Sequence, residues 1–213
     1  MNSSIGKIEQ KIRSPYLSYY ELEAIHRDGS SSPYYVASRC PDAASLKAVT
    51  HRNNPDGVVI YSLYGEDRVV LIRQYRFPAG GYVYEFPAGL VEPGEDMRSA
   101  AVREMFEETG LCFTPLPDSC CSRPFFTTVG MTAESCGTVF GRCTGIPTNA
   151  HEEASEEIEV VLADRAECRR ILKEENVAIM CAYMLMHFIA DAEDPFRFLK
   201  EFICEPDRGE FHG

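Results

Sequence analysis

The chain has 213 residues, of which 45% are apolar and 11% aromatic, so it can bury one full hydrophobic core and is unlike a disordered chain. Its formal net charge of −12 argues against the broad basic surface that nucleic-acid-binding proteins use. The nine cysteines include no C-x-x-C pair, so their spacing does not indicate a zinc site.

The first part of the chain is predicted to form antiparallel strands. Residues 17–26 and 33–39 flank the turn sequence R-D-G-S-S-S, which predicts a hairpin. Residues 57–63 and 68–75 form a second hairpin around Y-G-E-D, because both arms are rich in β-branched residues. The sequence P-A-G-G then interrupts the chain, and residues 82–86 read as a short strand.

The second part of the chain mixes strands with helices. A helix is predicted at residues 97–109, and three prolines mark a loop after it. The remaining elements, in chain order, are strands at 125–128, 137–141 and 157–162, helices at 165–174 and 177–192, and a short helical or coil tail at 196–202. Strands with one inserted helix, followed by helices at the end, favour a mixed sheet between helical layers.

The predicted helix at 97–109 presents several carboxylates on one side. A helix turns about 100° per residue, so Glu104, Glu107 and Glu108 fall within an arc of roughly 100°. Arg103 lies one turn before Glu107, close enough to pair with it. Carboxylates four residues apart repel each other, and hard divalent ions such as Mg²⁺ bind carboxylate and phosphate oxygens. The pattern therefore favours a cation site over an ordinary solvated acidic face.

The carboxylates belong to a longer pattern of fixed spacing, G-x5-E-x7-R-E-x2-E-E-x-G. Its fixed positions are Gly89, Glu95, Arg103, Glu104, Glu107, Glu108 and Gly110. The pattern resembles the Nudix box of the hydrolases that cleave nucleoside diphosphates linked to another moiety.

Motifs on either side of the box resemble the ADP-ribose pyrophosphatase branch of that family. Residues 73–76 read R-Q-Y-R and residues 84–89 read Y-E-F-P-A-G, which is similar to the R-Q-Y-R…E-x-P-A-G pattern of the branch. Residues 126–134, F-T-T-V-G-M-T-A-E, resemble its S-P-G-[MLF]-[ST]-x-E loop, with Val129 where proline is usual. The S-Q-P-W-P-F-P motif of NADH-cleaving relatives does not follow the box.

The resemblance implies an α/β (α+β) Nudix fold, in which a mixed β-sheet is sandwiched between helices and carries an N-terminal antiparallel β extension. We expect the extension at residues 1–52, where it serves dimerisation, and the Nudix hydrolase domain at 53–213. Relatives of this branch are homodimers whose N-terminal strands complete the substrate site of the partner. The tyrosines of this part either stack on an adenine or fill the core; they are Tyr16, Tyr19, Tyr20, Tyr34 and Tyr35.

The resemblance also implies a metal site. Its ligands would be Glu104, Glu107, Glu108 and the backbone carbonyl of Ala88. The implied ion is Mg²⁺, with Mn²⁺ as the alternative. Arg103 would orient Glu107 through a charge-assisted hydrogen bond, so both residues count as catalytic. Glu95 is either structural or a distant metal partner.

The general base and the substrate contacts are expected outside the box. In this branch the base often comes from a later loop, here the acidic residues 151–159, where the family pattern falls on Glu156, with Glu153 next. The alternative interpretation is that most of these acidic residues simply belong to a solvated loop. The substrate contacts implied by the resemblance are Arg76, Arg73, Glu85 and Glu134. For the arginines the alternative is a solvated strand edge, and for Glu85 it is a simple ion pair.

The implied reaction is hydrolysis of the pyrophosphate bond of ADP-ribose or a related nucleoside diphosphate sugar, which gives AMP or another nucleoside monophosphate and a sugar phosphate. A UDP- or GDP-sugar pyrophosphatase is the first alternative, because such enzymes share the box. A non-catalytic ligand-binding module is less favoured, because this box is intact and no basic helix-turn-helix stretch follows it. An enzyme for oxidised nucleoside triphosphates conflicts with the flanking motifs.

The sequence favours the reducing cytoplasm, with no membrane or nucleic-acid partner. Residues 1–13 lack the apolar region that a signal peptide needs. The longest apolar run, 177–190, is about fourteen residues long and contains a histidine, so it fits a buried helix and is too short to span a bilayer. Nine cysteines cannot all pair, which agrees with a reducing compartment.

Overall fold

The structure, a computed structural model, describes residues 2–148, 150 and 157–203. The strands in this part of the chain are β1 (Ser4–Ile12), β2 (Ser18–Ile25), β3 (Ser31–Ser38), β4 (Gly57–Tyr64), β5 (Arg68–Arg76), β6 (Gly81–Glu85), β7 (Ala88–Leu90), β8 (Cys112–Pro115), β9 (Phe125–Phe126), β10 (Ser135–Thr144) and β11 (Ile158–Ala163). The α-helices are α1 (Lys47–Thr50), α2 (Met97–Thr109), α3 (Arg165–Glu174), α4 (Ile179–Ala190) and α5 (Arg197–Phe202).

Backbone contacts group the chain into two compact units, and the first consists of Met1–Asp56 with Pro124–Cys136. Its sheet has the antiparallel order β1-β2-β3. Along β2, Tyr20 and Leu22 point inward and form a small core with Leu46, whereas Tyr19 is exposed. This alternation is what a strand with one covered face requires.

The loop at 126–134 belongs to this first unit. The Tyr34 hydroxyl donates to the Gly130 carbonyl oxygen at 2.9 Å, and the Ala37 amide donates to the Met131 carbonyl oxygen at 3.0 Å. β9 pairs with the first two residues of β10 and so closes the loop at its base. The loop at 126–134, which is distant in sequence, is thereby hydrogen-bonded to strand β3 through one backbone amide and one side-chain hydroxyl.

The second unit consists of Gly57–Arg123 and Gly137–Gly213. Its sheet has the order β11-β5-β4-β10-β8, with β6 beside β5 and β7 beside β4. β4 is buried along nearly its whole length, as expected for a central strand covered on both faces. Its residues Val58 and Ile60 join Val70 of β5 and Met105 of α2 in one core cluster. The box helix therefore covers the face of the sheet to which these side chains point.

Helix α2 begins and ends at residues whose side chains and backbone suit the two positions. The Asp96 carboxylate accepts a hydrogen bond from the Ser99 amide at 2.9 Å, which satisfies a free N–H of the first turn. Gly110 ends the helix in the left-handed conformation (φ 68°), and its amide donates to the Phe106 carbonyl oxygen at 2.8 Å. These two ends fix which residues of the chain form the helix, and within it Ala100 and Met105 are buried.

Most predicted elements are confirmed, some at the same residues. The helices predicted at 97–109 and 165–174 are α2 and α3, and both predicted hairpins occur within one or two residues of their predicted bounds. β1 was not predicted, because its apolar residues are irregularly spaced, and its pairing with β2 contains two register shifts. Short β7 and β8 were also missed, and β10 is longer than the predicted 137–141.

The division into an extension at 1–52 and a domain at 53–213 stays a prediction. Among the helices that the structure describes, none is both long and apolar enough to cross a membrane.

Candidate functional site

The backbone of β7 lies directly against α2. β7 pairs with β4 over three residues, and the amide of Ala88 donates to the Glu108 carboxylate at 3.0 Å. A Cβ atom at Gly89 would overlap the carboxylate of Glu104. A side chain at position 89 would therefore displace the Glu104 carboxylate, and the carbonyl of Ala88 lies in the strand that borders the acidic helix face.

Arg103 is the centre of the hydrogen-bond network in this region. Its Nε and Nη2 donate to the two oxygens of Glu95 at 3.1 and 2.9 Å. Its Nη1 donates to Glu104 at 2.8 Å and to Glu107 at 3.0 Å. Its Nη2 also donates to the carbonyl oxygen of Leu90 at 3.0 Å. All five N–H groups of the guanidinium thus have an acceptor, which fixes three carboxylates relative to one another.

The carboxylates of this region are partly or fully buried and outnumber its cations. Glu108 is 3% exposed, and the side chains of Glu104 and Glu107 are 15% and 47% exposed. The hydrogen bonds from Arg103 hold the pKa of Glu95 below its usual 4.5. In turn, the carboxylates of Glu95, Glu104 and Glu107 raise the pKa of Arg103. Three carboxylates share the Arg103 guanidinium and Glu108 lies on the same helix face, so the region keeps a negative charge that a divalent ion would balance.

These residues line an open cleft of about 400 Å³. Its lining comprises Ala88, Gly89, Leu90, Val91, Glu92, Pro93, Arg103, Glu104, Glu107 and Glu108. Within the described ranges, no three acidic, histidine or cysteine side chains converge as a ready metal-binding group. Arg103 Nη1 donates to one oxygen of Glu104 and one oxygen of Glu107.

The oxygen-rich lining nevertheless fits Mg²⁺. This ion is usually held by one or two carboxylates, several waters and substrate phosphates, and it does not need a closed protein cage. The metal roles of Ala88, Glu104, Glu107 and Glu108 remain predictions that this geometry suits.

The two arginines of R-Q-Y-R lie on opposite faces of the sheet. Arg76 has the same strand parity as Val70, whose side chain packs in the core cluster with α2, and it forms a bidentate pair with Glu85 at 2.6 and 2.9 Å. Arg73 has the opposite parity; its guanidinium lies 3.9 Å from the centre of the Tyr82 ring and 3.2 Å from Glu159. The structure therefore brings Arg76 and Glu85 to the face covered by the box helix, but not Arg73.

Three further residues were predicted: Glu134, Glu153 and Glu156. Glu134 belongs to the first unit, where its carboxylate accepts from Arg39 Nε at 3.1 Å and from the Thr127 hydroxyl at 3.3 Å. The two candidate bases, Glu153 and Glu156, lie outside the described residues.

Two features of this region were missed by the sequence reasoning. The carbonyl of Leu90 accepts from Arg103, which no side-chain motif reveals. Gln74 is 5% exposed, and its Oε1 is the buried side-chain oxygen that lacks a hydrogen-bond partner in the described part of the chain. Its position between the arginines of R-Q-Y-R, with the strand parity of Arg76, is the signal that could have identified it.

Comparison with known proteins identifies the family of this chain. A sequence profile of the NUDIX domain matches residues 53–180, more than half of the chain. Putative nudix hydrolase 2 of Caenorhabditis elegans is 34% identical over 130 residues, covering 54% of this chain and 57% of that protein. The ADP-sugar pyrophosphatase of Mus musculus is 55% identical over 42 residues, covering 20% of this chain and 19% of that protein. The matched region thus covers little more than half of the Caenorhabditis elegans protein and about a fifth of the Mus musculus protein.

A solved structure described as an ADP compounds hydrolase has the same fold. It superposes with a TM-score of 0.67 at 18% identity, over 89% of this chain and 92% of that chain. The chain belongs to the NUDIX domain family. The predicted fold class is confirmed: a mixed sheet with helices and a separate N-terminal three-stranded antiparallel sheet. The resemblance to the ADP-ribose pyrophosphatase branch is confirmed by the relatives.

Proposed function

We propose that this protein hydrolyses the pyrophosphate bond of ADP-ribose or a related nucleoside diphosphate sugar in a Mg²⁺-dependent reaction. One observation carries the proposal: Glu104, Glu107 and Glu108 of the intact box line an open cleft together with Arg103 and the backbone of Ala88. An acidic cleft of this kind would repel a diphosphate unless divalent ions were bound there.

The residues of the cleft suit defined roles in this reaction. Glu104, Glu107, Glu108 and the carbonyl of Ala88 would hold Mg²⁺, with Mn²⁺ as the alternative. The bound ion would supply charge neutralisation of the diphosphate and a water of lowered pKa. Arg103 orients Glu104 and Glu107 through its two Nη1 bonds.

The chemistry then needs a base outside the box. We propose that Glu156, or else Glu153, removes the proton from the attacking water. The new P–O bond forms as the bridging P–O bond breaks, so ADP-ribose and water give AMP and ribose 5-phosphate.

The preference for an ADP-linked substrate rests on the relatives and on the flanking motifs. The similarity to an ADP-sugar pyrophosphatase supports it, although the match covers a short part of both chains. Arg76 is paired to Glu85 on the sheet face covered by the box helix, which suits a contact with a phosphate or a ribose. Glu134 and Arg73 are further candidate contacts. UDP- and GDP-sugars are the alternative substrates.

We also propose a homodimer formed through the N-terminal strands. Tyr19 and Tyr35 stack on one another with ring centres 5.7 Å apart, and both are more than a third exposed. Such an exposed aromatic pair suits contact with a second copy or with a substrate base. Sedimentation velocity of the wild-type protein and of Tyr35→Ser tests this, and a monomeric wild type at micromolar concentration refutes it.

A substrate panel tests the activity. ADP-ribose, UDP-glucose, GDP-mannose, NADH and diadenosine polyphosphates are incubated with the protein and Mg²⁺, beside the variant Glu108→Gln. We expect the highest kcat/KM for ADP-ribose and a loss of at least about a hundredfold in the variant, because the neutral amide is a poorer ligand for a hard cation. Absence of turnover on every compound refutes the enzyme, and full turnover by Glu108→Gln refutes the metal site.

A second pair of variants tests the base. Glu156→Gln should lower kcat by orders of magnitude and leave KM nearly unchanged, because the base acts in the chemical step. The same loss in Glu153→Gln, with an active Glu156→Gln, would assign the base to Glu153 instead.

A further inference from the structure

The side chain of Lys47 ends in a hydrogen-bond network inside the first unit. Its Nζ donates to the Asp56 carboxylate at 2.6 Å, to the Asn53 side-chain oxygen at 3.3 Å and to the hydroxyl oxygen of Ser135. The same ammonium lies 5.9 Å from the ring centre of Phe126. Its three N–H groups thus have three acceptors, one of them 88 positions away in the chain. The side chain is only 13% exposed, so solvent screens these bonds little.

The acceptors of this ammonium hold both ends of the loop at 126–134. Before the loop, the side-chain amide of Asn53 donates to the carbonyl oxygen of Pro124 at 3.0 Å. After the loop, the Asp56 carboxylate accepts from the Ser135 amide at 2.9 Å, and the Asp56 amide donates to the Ser135 carbonyl oxygen at 2.8 Å. Ser135 is fully buried. One cation therefore links the groups that fix the chain on the two sides of the loop.

Glu134 is the last residue of this loop and directly precedes Ser135. Its carboxylate accepts from Arg39 Nε at 3.1 Å and from the Thr127 hydroxyl at 3.3 Å. The Thr127 amide donates to the Glu134 carbonyl oxygen at 3.0 Å. The side chain is 31% exposed, so it can reach a bound molecule. The position of its carboxylate depends on the backbone of the next residue, which the network holds.

Stability alone is a poor explanation for the Lys47–Asp56 pair. Removing two charges from water costs free energy, and a well-packed apolar pair in such a place is often as stable. The pair differs from an apolar contact in its directional bonds. Asp56 accepts from Lys47 and from the Ser135 amide through the same oxygen, which determines where Ser135 lies.

We propose that Lys47 is a positioning residue, which sets the place of Glu134 for contact with the substrate. The proposal rests on the proposed function, in which Glu134 is a candidate substrate contact. A carboxylate accepts hydrogen bonds and repels phosphate, so its contact would be a hydroxyl or amino group of the nucleoside diphosphate sugar. Loosening the loop should therefore weaken substrate binding more than it slows the chemical step.

The first test compares three variants of the full-length protein. Lys47→Met removes the ammonium, and Ser135→Ala removes one acceptor while it keeps the ion pair. Ser62→Ala, at a fully buried serine of β4, is the matched control. We expect KM for ADP-ribose to rise about fivefold or more in Lys47→Met and less in Ser135→Ala, with kcat within about twofold of wild type in both. The control should keep the wild-type KM.

A double-mutant cycle separates positioning from general destabilisation. Lys47→Met leaves Asp56 without its cation, so it can also destabilise the unit, whereas Ser135→Ala keeps the pair. Both changes are repeated in the Glu134→Gln background. If they act through Glu134, KM should rise little further there, because the contact is already lost. An equal rise of KM in both backgrounds overturns the proposal, as does a parallel change of KM, kcat and melting temperature in Ser135→Ala.

Hydrogen exchange gives a readout that does not depend on activity. The Thr127 amide, which is bonded to Glu134, should exchange faster in Lys47→Met and in Ser135→Ala than in wild type or in Ser62→Ala. If the wild-type protein turns over none of the nucleotide sugars, the proposed function fails, while the exchange comparison still decides whether Lys47 holds the loop. Unchanged exchange of the Thr127 amide in Lys47→Met overturns the positioning role.

Discussion

Replacing Arg103 by lysine tests the network on which the site depends. The guanidinium uses all five of its N–H groups, on Glu95, Glu104, Glu107 and the carbonyl of Leu90. An ammonium has three N–H groups and lacks the planar fork that holds both oxygens of Glu95. Lysine at this position keeps the charge but must leave at least two of the acceptors without their present donor.

The cost follows from these lost bonds. A hydrogen bond to a charged group contributes about 1.5–3 kcal/mol when it is buried. The Arg103 side chain is 28% exposed and that of Glu107 is 47% exposed, so solvent reduces this contribution. We expect Arg103→Lys to lower the free energy of unfolding by about 2–4 kcal/mol, which for a chain of this size lowers the melting temperature by roughly 5–15 °C. Turnover should fall more than about tenfold, because Glu104 and Glu107 lose their common donor.

Calorimetry and Mg²⁺-dependent turnover are measured together, with Arg170→Lys as the matched control. Arg170 also bonds to several acids, at 2.7 Å to Glu167 and to Glu175, but it lies on α3 and is more exposed. The control should lose less stability and no activity. A melting temperature of Arg103→Lys within about 2 °C of wild type, with full turnover, would falsify the reasoning. Equal loss of activity in the control would show that the effect is not specific to the cleft.

Four further outcomes are expected. Gly89→Ala should abolish most turnover with a small change in melting temperature, because its methyl takes the space of the Glu104 carboxylate; kinetics and calorimetry check this. Arg76→Lys loses the bidentate geometry, so KM should rise several-fold and kcat change less in steady-state kinetics. The hydrogen bonds from the guanidinium lower the pKa of Glu95 from 4.5. The contribution of Glu95 to the free energy of unfolding is therefore complete above pH 4.5 and is lost as the pH falls through the lowered pKa. Urea unfolding in acid should depend less on pH in Glu95→Gln than in wild type. Burial raises the pKa of Cys143 from 9.0 to about 11. The contribution of the neutral thiol to the free energy of unfolding is therefore complete below pH 9.0 and is lost as the pH rises through about 11. Urea unfolding should show this loss in wild type and not in Cys143→Ala.

The parts of the fold that depend on local chemistry were predictable from the sequence. The bounds of α2 follow from the capping preference of Asp96 and the positive φ of Gly110, both of which are properties of single residues. The hairpin of β4 and β5 follows from β-branched arms around a polar turn. β1 lacks such a signal, since seven of its nine residues are exposed and its pairing is irregular.

The parts of the site that depend on tertiary contacts were not predictable. Glu95 was left open between a structural role and a metal role, and only the folded chain reveals that both of its oxygens hold Arg103. Strand alternation places Arg73 and Arg76 of the motif R-Q-Y-R on opposite faces, but only the folded chain reveals which of these faces the box helix covers. The contact between Thr148 and Gly110 joins residues 38 positions apart, and no periodic pattern connects them.

The geometry of Arg103 also explains why the spacing of the box is fixed. Side chains on a helix tilt toward its N-terminus, so Arg103 reaches back to Glu95, which precedes the N-cap. The same guanidinium meets Glu107 one turn ahead. An insertion between Glu95 and Arg103 would rotate one partner away by about 100° and break the fork.

This arrangement has a consequence for metal binding. Glu104 and Glu107 each give an oxygen to Arg103, so an ion entering the cleft competes with a guanidinium for these carboxylates. We therefore expect weak Mg²⁺ binding to the protein alone and much tighter binding when a diphosphate supplies further oxygens. Calorimetric titration of Mg²⁺ with and without a non-hydrolysable ADP-ribose analogue measures the difference. Equal Mg²⁺ affinity in the two titrations would show that the carboxylates bind the ion without help from the substrate.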